Sequence, residues 1–160
     1  MQELKRKLTT REMTLPDALA KALPLLRGHV TDEKLLWLAN ELQGYQNALE
    51  FFQSNSTEFP QYRIVTGRIW LLTPQGNLTE LKHPWAQKER IFLSAPVSWL
   101  EEAHVAPGDT SLVDMMELTN YLAKGFGHVV CECPKEHVRS ILTVFRQRFI
   151  QLLDQVQVAG

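Results

Sequence analysis

The sequence predicts an α+β fold, with helices packed around a small antiparallel sheet and a long amphipathic helix at its C-terminal end. Three observations carry this. Apolar residues recur at helical spacing through residues 15–43. A β-branched and aromatic run around a turn follows at residues 62–81. The last stretch returns to helical spacing for five turns. No repeat, low-complexity tract or linker divides the chain, so residues 1–160 read as one domain.

Leu4 and Leu8 begin a short helix with Lys5, Arg6 and Lys7 outward. Leu15, Ala18, Leu19, Ala22, Leu23 and Leu26 line one face of the next helix, capped by Thr14, with Pro16 in its first turn. Pro24 lacks the N–H that would bond back to Ala20, which predicts a kink or an early end before Gly28. Thr31 caps a helix over residues 32–43 that stops at Gly44. Its stripe of Leu35, Leu38, Ala39 and Leu42 is widened by Leu36 and Trp37, so cover is expected on more than one side, either by its own domain or by a partner.

Residues 46–60 read as a connector containing the polar run Gln53 to Glu58. Tyr62 to Leu72 reads as one strand with a bulge at Gly67, and Leu78 to Leu81 as its return after the turn at residues 73–77. Ile91-Phe92-Leu93 forms a short strand. A helix over residues 96–104 follows, capped by Ser94, with Val97, Leu100 and Ala103 inward. Residues 112–123 read as helical up to the stop at Gly125, and the Val-rich residues 128–133 as a strand. Pro134 opens the C-terminal helix, whose face is Val138, Ile141, Leu142, Phe145, Phe149, Leu152, Leu153 and Val156.

Composition excludes several classes of function. The 17 basic and 18 acidic residues leave a formal charge of −1, which indicates no nucleic-acid partner by counterion release. No apolar run approaches the ~20 residues of a membrane span, and no apolar segment follows the basic N-terminal residues as in a secretory signal. Two cysteines separated by one residue make no disulfide framework, which suits a reducing cytoplasm.

Catalytic and cofactor signatures are missing: no G-x-S-x-G, H-E-x-x-H, P-loop or G-x-G-x-x-G occurs. No catalytic residue and no cofactor is therefore assigned. His128, Cys131, Cys133 and His137 have the chemistry of zinc ligands. Their spacing instead fits two inert cysteines on one sheet face, and no metal is assigned. Glu80-Leu81-Lys82 lacks the upstream carboxylate a metal-dependent nuclease needs, and reads as a solvated rim.

The candidate binding residues are basic and aromatic. On a helical wheel Arg139 and Arg146 flank one border of the C-terminal apolar stripe and Arg148 the other. Such arginines either lie along the core edge or grip an acidic partner or an internal carboxylate such as Glu41. Trp37, Tyr62 and Arg63 complete the set. Most of the four tryptophans are expected in the core, and one left exposed would mark a docking site.

Three stretches together resemble the AbiTii domain, a family associated with bacterial abortive phage infection. They are Leu15-Pro16-Asp17-Ala18-Leu19, leading to Glu41-Leu42-Gln43-Gly44-Tyr45; Pro60-Gln61-Tyr62-Arg63, with Gly67 beyond; and Ile141-Leu142 through Arg146-Gln147-Arg148. Pro24 and Thr143 depart from the family pattern. The resemblance implies a role in phage defence, often as a module joined to other domains, and brings no catalytic residues with it. The expectation is a non-catalytic interaction or sensor module that contacts a protein partner or a fused effector and self-associates. The alternative is a small toxic hydrolase, nuclease-like, with a cleft uniting Arg146, Arg148, Tyr62 and Glu41 or Glu80.

Overall fold

The computed structural model describes residues 1–53 and 59–159 and is α+β. The helices α1 (Gln2–Thr9), α2 (Leu15–Leu26) and α3 (Asp32–Gln43) come first. The Thr14 and Thr31 hydroxyls cap α2 and α3, accepting from the Asp17 and Lys34 N–H groups at 3.2 Å each. α2 runs on through Pro24 and ends at Leu26. The region read as a connector contains a short helix, α4 (Leu49–Gln53), because Ala48 and Phe52 are buried and require ordered backbone around them. The rest of the polar run, from residue 54 to 58, lies outside the described residues.

The single strand expected over residues 62–72 is divided. A 3-10 turn (Gln61–Arg63) leads into β1 (Ile64–Thr66), and β2 (Arg68–Leu72) follows after Gly67. β1 pairs antiparallel with β4 (Arg90–Phe92), whereas β2 joins a second sheet. Gly67 is thus the point where the chain changes sheets rather than a bulge within one. A Cβ there would lie 2.6 Å from the Glu132 carbonyl oxygen and 3.0 Å from Cys131 Sγ, so only glycine fits the crossing.

The second sheet has the order β3-β2-β6-β5, all antiparallel, with β3 (Leu78–Glu80), β5 (Thr110–Asp114) and β6 (His128–Pro134). Residues 112–123, expected as one helix, divide into the end of β5 and α6 (Met116–Leu122). Ser111 and Val113 are buried while Leu112 between them is exposed, the period of a strand. α5 (Val97–Val105) buries Val97, Leu100 and Ala103, but Pro96 rather than Ser94 stands at its N-cap. α7 (Lys135–Ala159) begins one residue after Pro134, which still pairs with Thr110 at the end of β6.

Two cores meet along α7. Its first turns pack Val138 and Ile141 against the sheet with Ile69, Val129, Cys131 and Leu100. Its later turns pack Phe145, Phe149, Leu152 and Leu153 against Leu8, Leu15, Leu19, Leu26 and Leu38. Leu142 and Tyr62 touch both. No helix among the described residues is long and apolar enough to cross a membrane.

Candidate functional site

α3 buries only Leu38 and Glu41 completely, which brings a carboxylate onto the inward side of a helix. α2 and α5 both pack against α3, and its Trp37 meets Phe145 of α7, while Leu36 stays 62 % exposed. Gly44 then reverses the chain at φ +96°, with Ser94 and Pro96 too close for a side chain to fit without displacement. The turn lays Tyr45 back over Glu41, and the Tyr45 N–H donates to the Ser94 carbonyl at 2.9 Å.

Arg63 meets this carboxylate from the 3-10 turn that precedes β1. Its Nε donates to Glu41 Oε2 at 2.7 Å and its Nη2 to Oε1 at 3.0 Å. Nη1 donates to the carbonyls of Leu93 and Ala95 at 2.7 and 2.6 Å. Both side chains are fully buried. Burial alone would lower the Arg63 pKa, but the Glu41 charge and its hydrogen bonds outweigh it and hold the guanidinium above its ordinary value. The Tyr45 hydroxyl donates to Glu41 Oε2 at 2.6 Å and the Tyr62 hydroxyl at 2.9 Å. Trp37 Nε1 donates to the Tyr62 oxygen at 2.8 Å. The network is neutral overall, and four hydrogen bonds occupy the carboxylate.

Burial, followed by the Glu41 charge, pushes both Tyr45 and Tyr62 above the ordinary phenol range. In the unfolded chain these phenols ionise near pH 10. The folded state therefore keeps their protons longer, so stability is complete below about pH 10 and falls as pH rises above it. An alkaline titration followed by phenolate absorbance is expected to show Tyr45 and Tyr62 ionising only as the protein unfolds. Ionisation of all three tyrosines before any loss of helical circular dichroism would contradict this.

Above this network lies an open groove of about 550 Å³ between α3 and α7, lined in part by Lys34, Leu36, Trp37, Tyr62, Arg148 and Gln151. Arg148 places its guanidinium over the Tyr62 ring, 4.9 Å from the centroid. Lys34 places its ammonium over the Trp37 ring at 5.7 Å. No family model matches the chain, and no curated protein or solved structure was found to match it.

The structure gathers Trp37, Tyr62 and Arg148 at this groove and places the other expected binding residues elsewhere. Arg63 lies beneath the surface, out of a partner's reach. It is this residue, not Arg146 or Arg148, that grips Glu41. Arg146 turns to the other side of α7 and donates to the Leu8 carbonyl at 3.0 Å, tying α1 down. Burial and nearby Arg11 hold its pKa below the usual value. Arg139 donates to His104 Nε2 at 3.2 Å beside α5. The cleft expected for a hydrolase is therefore not assembled: Arg146 and Arg148 diverge, Glu41 is sealed, and Glu80 is exposed on β3.

Cys131 and Cys133 are both buried on the inner sheet face, where a mutual hydrogen bond and burial push the Cys131 thiol up. His128 sits on the opposite face, with Nδ1 3.1 Å from an Asp114 carboxylate oxygen. Among the described residues no three His, Cys, Asp or Glu side chains converge as metal ligands would. None of the four tryptophans is completely buried, and Trp37 is the one that lines the groove.

Proposed function

We propose that this chain is a non-catalytic interaction or sensor module of a bacterial anti-phage system of the abortive-infection kind, acting through the α3–α7 groove. The observation that carries the reading is where the motif residues meet. Glu41, Gly44 and Tyr45 come from one stretch of the AbiTii resemblance, Tyr62 and Arg63 from the second, and Arg148 from the third. All belong to one network or its immediate wall. Residues separated in sequence by more than a hundred positions, as Glu41 and Arg148 are, are thus joined by a tertiary requirement, which helix-forming tendency alone does not impose. The groove floor is a saturated ion pair, and its walls are aromatic rings topped by cations. That chemistry binds. A groove of this volume falls in the range of small-molecule ligand sites.

The test is expression of the full chain in a phage-challenged bacterial host, scoring culture survival and phage yield for the wild type and for Arg148→Glu. Wild type is expected to reduce phage yield, and Arg148→Glu, exposed and outside the core, to abolish the reduction while remaining folded. Equal phage yield with the wild type and an empty vector would overturn the reading, as would full protection by the variant.

A further inference from the structure

We infer that the occupant of the α3–α7 groove is an acidic peptide segment of a partner protein carrying an apolar side chain between its carboxylates. This rests on the interaction-module reading above and deepens it by naming the chemistry of the partner.

The argument begins with charge. Lys34 and Arg148 are both exposed, and neither has a carboxylate partner among the described residues. Among the described residues Glu33 is the only acidic group lining the groove, because Glu41 lies below the floor and is neutralised by Arg63. The described lining is therefore net positive, with Lys34 and Arg148 against Glu33, on a chain whose formal charge is −1. Both cations are already ordered against aromatic rings, which leaves the outward N–H groups directed at solvent and reduces the entropy lost when a carboxylate binds.

The same geometry selects among anions. A nucleobase would stack on a free ring face, but Lys34 lies over Trp37 and Arg148 over Tyr62. Two cations also fall short of the row of phosphate contacts that carries nucleic-acid affinity. Leu36, 62 % exposed at the rim, calls for an apolar group that neither a polyphosphate nor a lipid headgroup supplies. A carboxylate-rich peptide with one apolar residue meets all three demands.

The probe is a synthetic blocked peptide of glutamates and aspartates around a single leucine, titrated into the full-length protein. The readout is the indole N–H resonance of Trp37, assigned with Trp37→Phe. Binding is expected to shift this resonance and to weaken with added salt. It should weaken by on the order of tenfold or more in Lys34→Glu/Arg148→Glu, checked for an unchanged melting temperature. A lysine-for-acid peptide and a serine-for-leucine peptide should shift it far less. The inference is overturned if the acidic peptide leaves the resonance unmoved or binds the double variant equally. It is also overturned if a single-stranded oligonucleotide or phosphatidylglycerol vesicles shift the resonance as much. Loss of phage protection in the double variant without peptide binding would leave the defence reading standing and remove this one. Peptide binding with protection intact in the variant would do the reverse.

Discussion

Replacing Arg63 with alanine is expected to cost about 3–5 kcal/mol of folding stability, the range for breaking a buried ion pair from one side. The loss is large because the guanidinium serves two sets of groups. Without it Glu41 keeps only its two phenols, and the carbonyls of Leu93 and Ala95 lose their donor inside the protein. Arg63→Lys is expected to recover little. An ammonium offers three donors on one nitrogen and cannot span both carboxylate oxygens and two carbonyls in the plane that arginine provides. Glu41→Leu/Arg63→Met should be milder than Arg63→Ala alone, since removing both charges leaves neither stranded. Urea unfolding of the four proteins checks this. A cost below about 1 kcal/mol for Arg63→Ala, the level of a surface pair, would mean that the pair is hydrated.

Much of the frame was legible from local rules. The Thr14 and Thr31 caps, the Gly44 stop and the face of α7 all follow from single-helix chemistry, and the structure has each of them. The failures share a cause. Tyr62 to Leu72 has strand-forming residues throughout, and propensity carries no information about which sheet each half joins. The change at Gly67 is dictated by the Glu132 carbonyl, 65 positions away. The alternation of Ser111, Leu112 and Val113 is too short to outweigh the helical spacing that follows it. Ser94 was expected as a cap, but its carbonyl is engaged by Tyr45 and the helix starts beyond it.

The site was half legible. Glu41 sits three positions after Leu38 on the inward stripe of α3, in the last turn, where the helix dipole disfavours an acid. Those two facts signal a carboxylate with an internal partner. Local rules point to α7 for its partner, because arginines there border an apolar stripe. Arg63 instead lies among strand-forming residues, where a charge commonly points to solvent. Nothing local distinguishes a buried arginine from an exposed one. The deciding features, the carbonyls of Leu93 and Ala95 that accept from Arg63, are brought together only once β4 and α5 are in place.

Phe145→Ala is expected to cost about 3–5 kcal/mol, the range for truncating a large aromatic in a packed core. Phe145 is fully buried where α7 crosses the helical core, 5.6 Å from Phe149 between ring centroids. A second aromatic neighbour is Trp37, met edge-on at 5.5 Å and an interplanar angle of 70°. Trp37 is thus held by Phe145 on one side and by its hydrogen bond to Tyr62 on another, and the remainder of the ring lines the groove. The cavity left by the alanine would free the indole without altering any exposed group. A variant that still folds should therefore show both a lower urea midpoint and a broadened Trp37 indole resonance. Phe145→Leu fills most of the space and should retain most of the stability and a sharp resonance. If Phe145→Ala lost stability but kept the Trp37 resonance sharp and in place, the groove wall would be held by Tyr62 alone, and the helical core would have no part in shaping the binding surface.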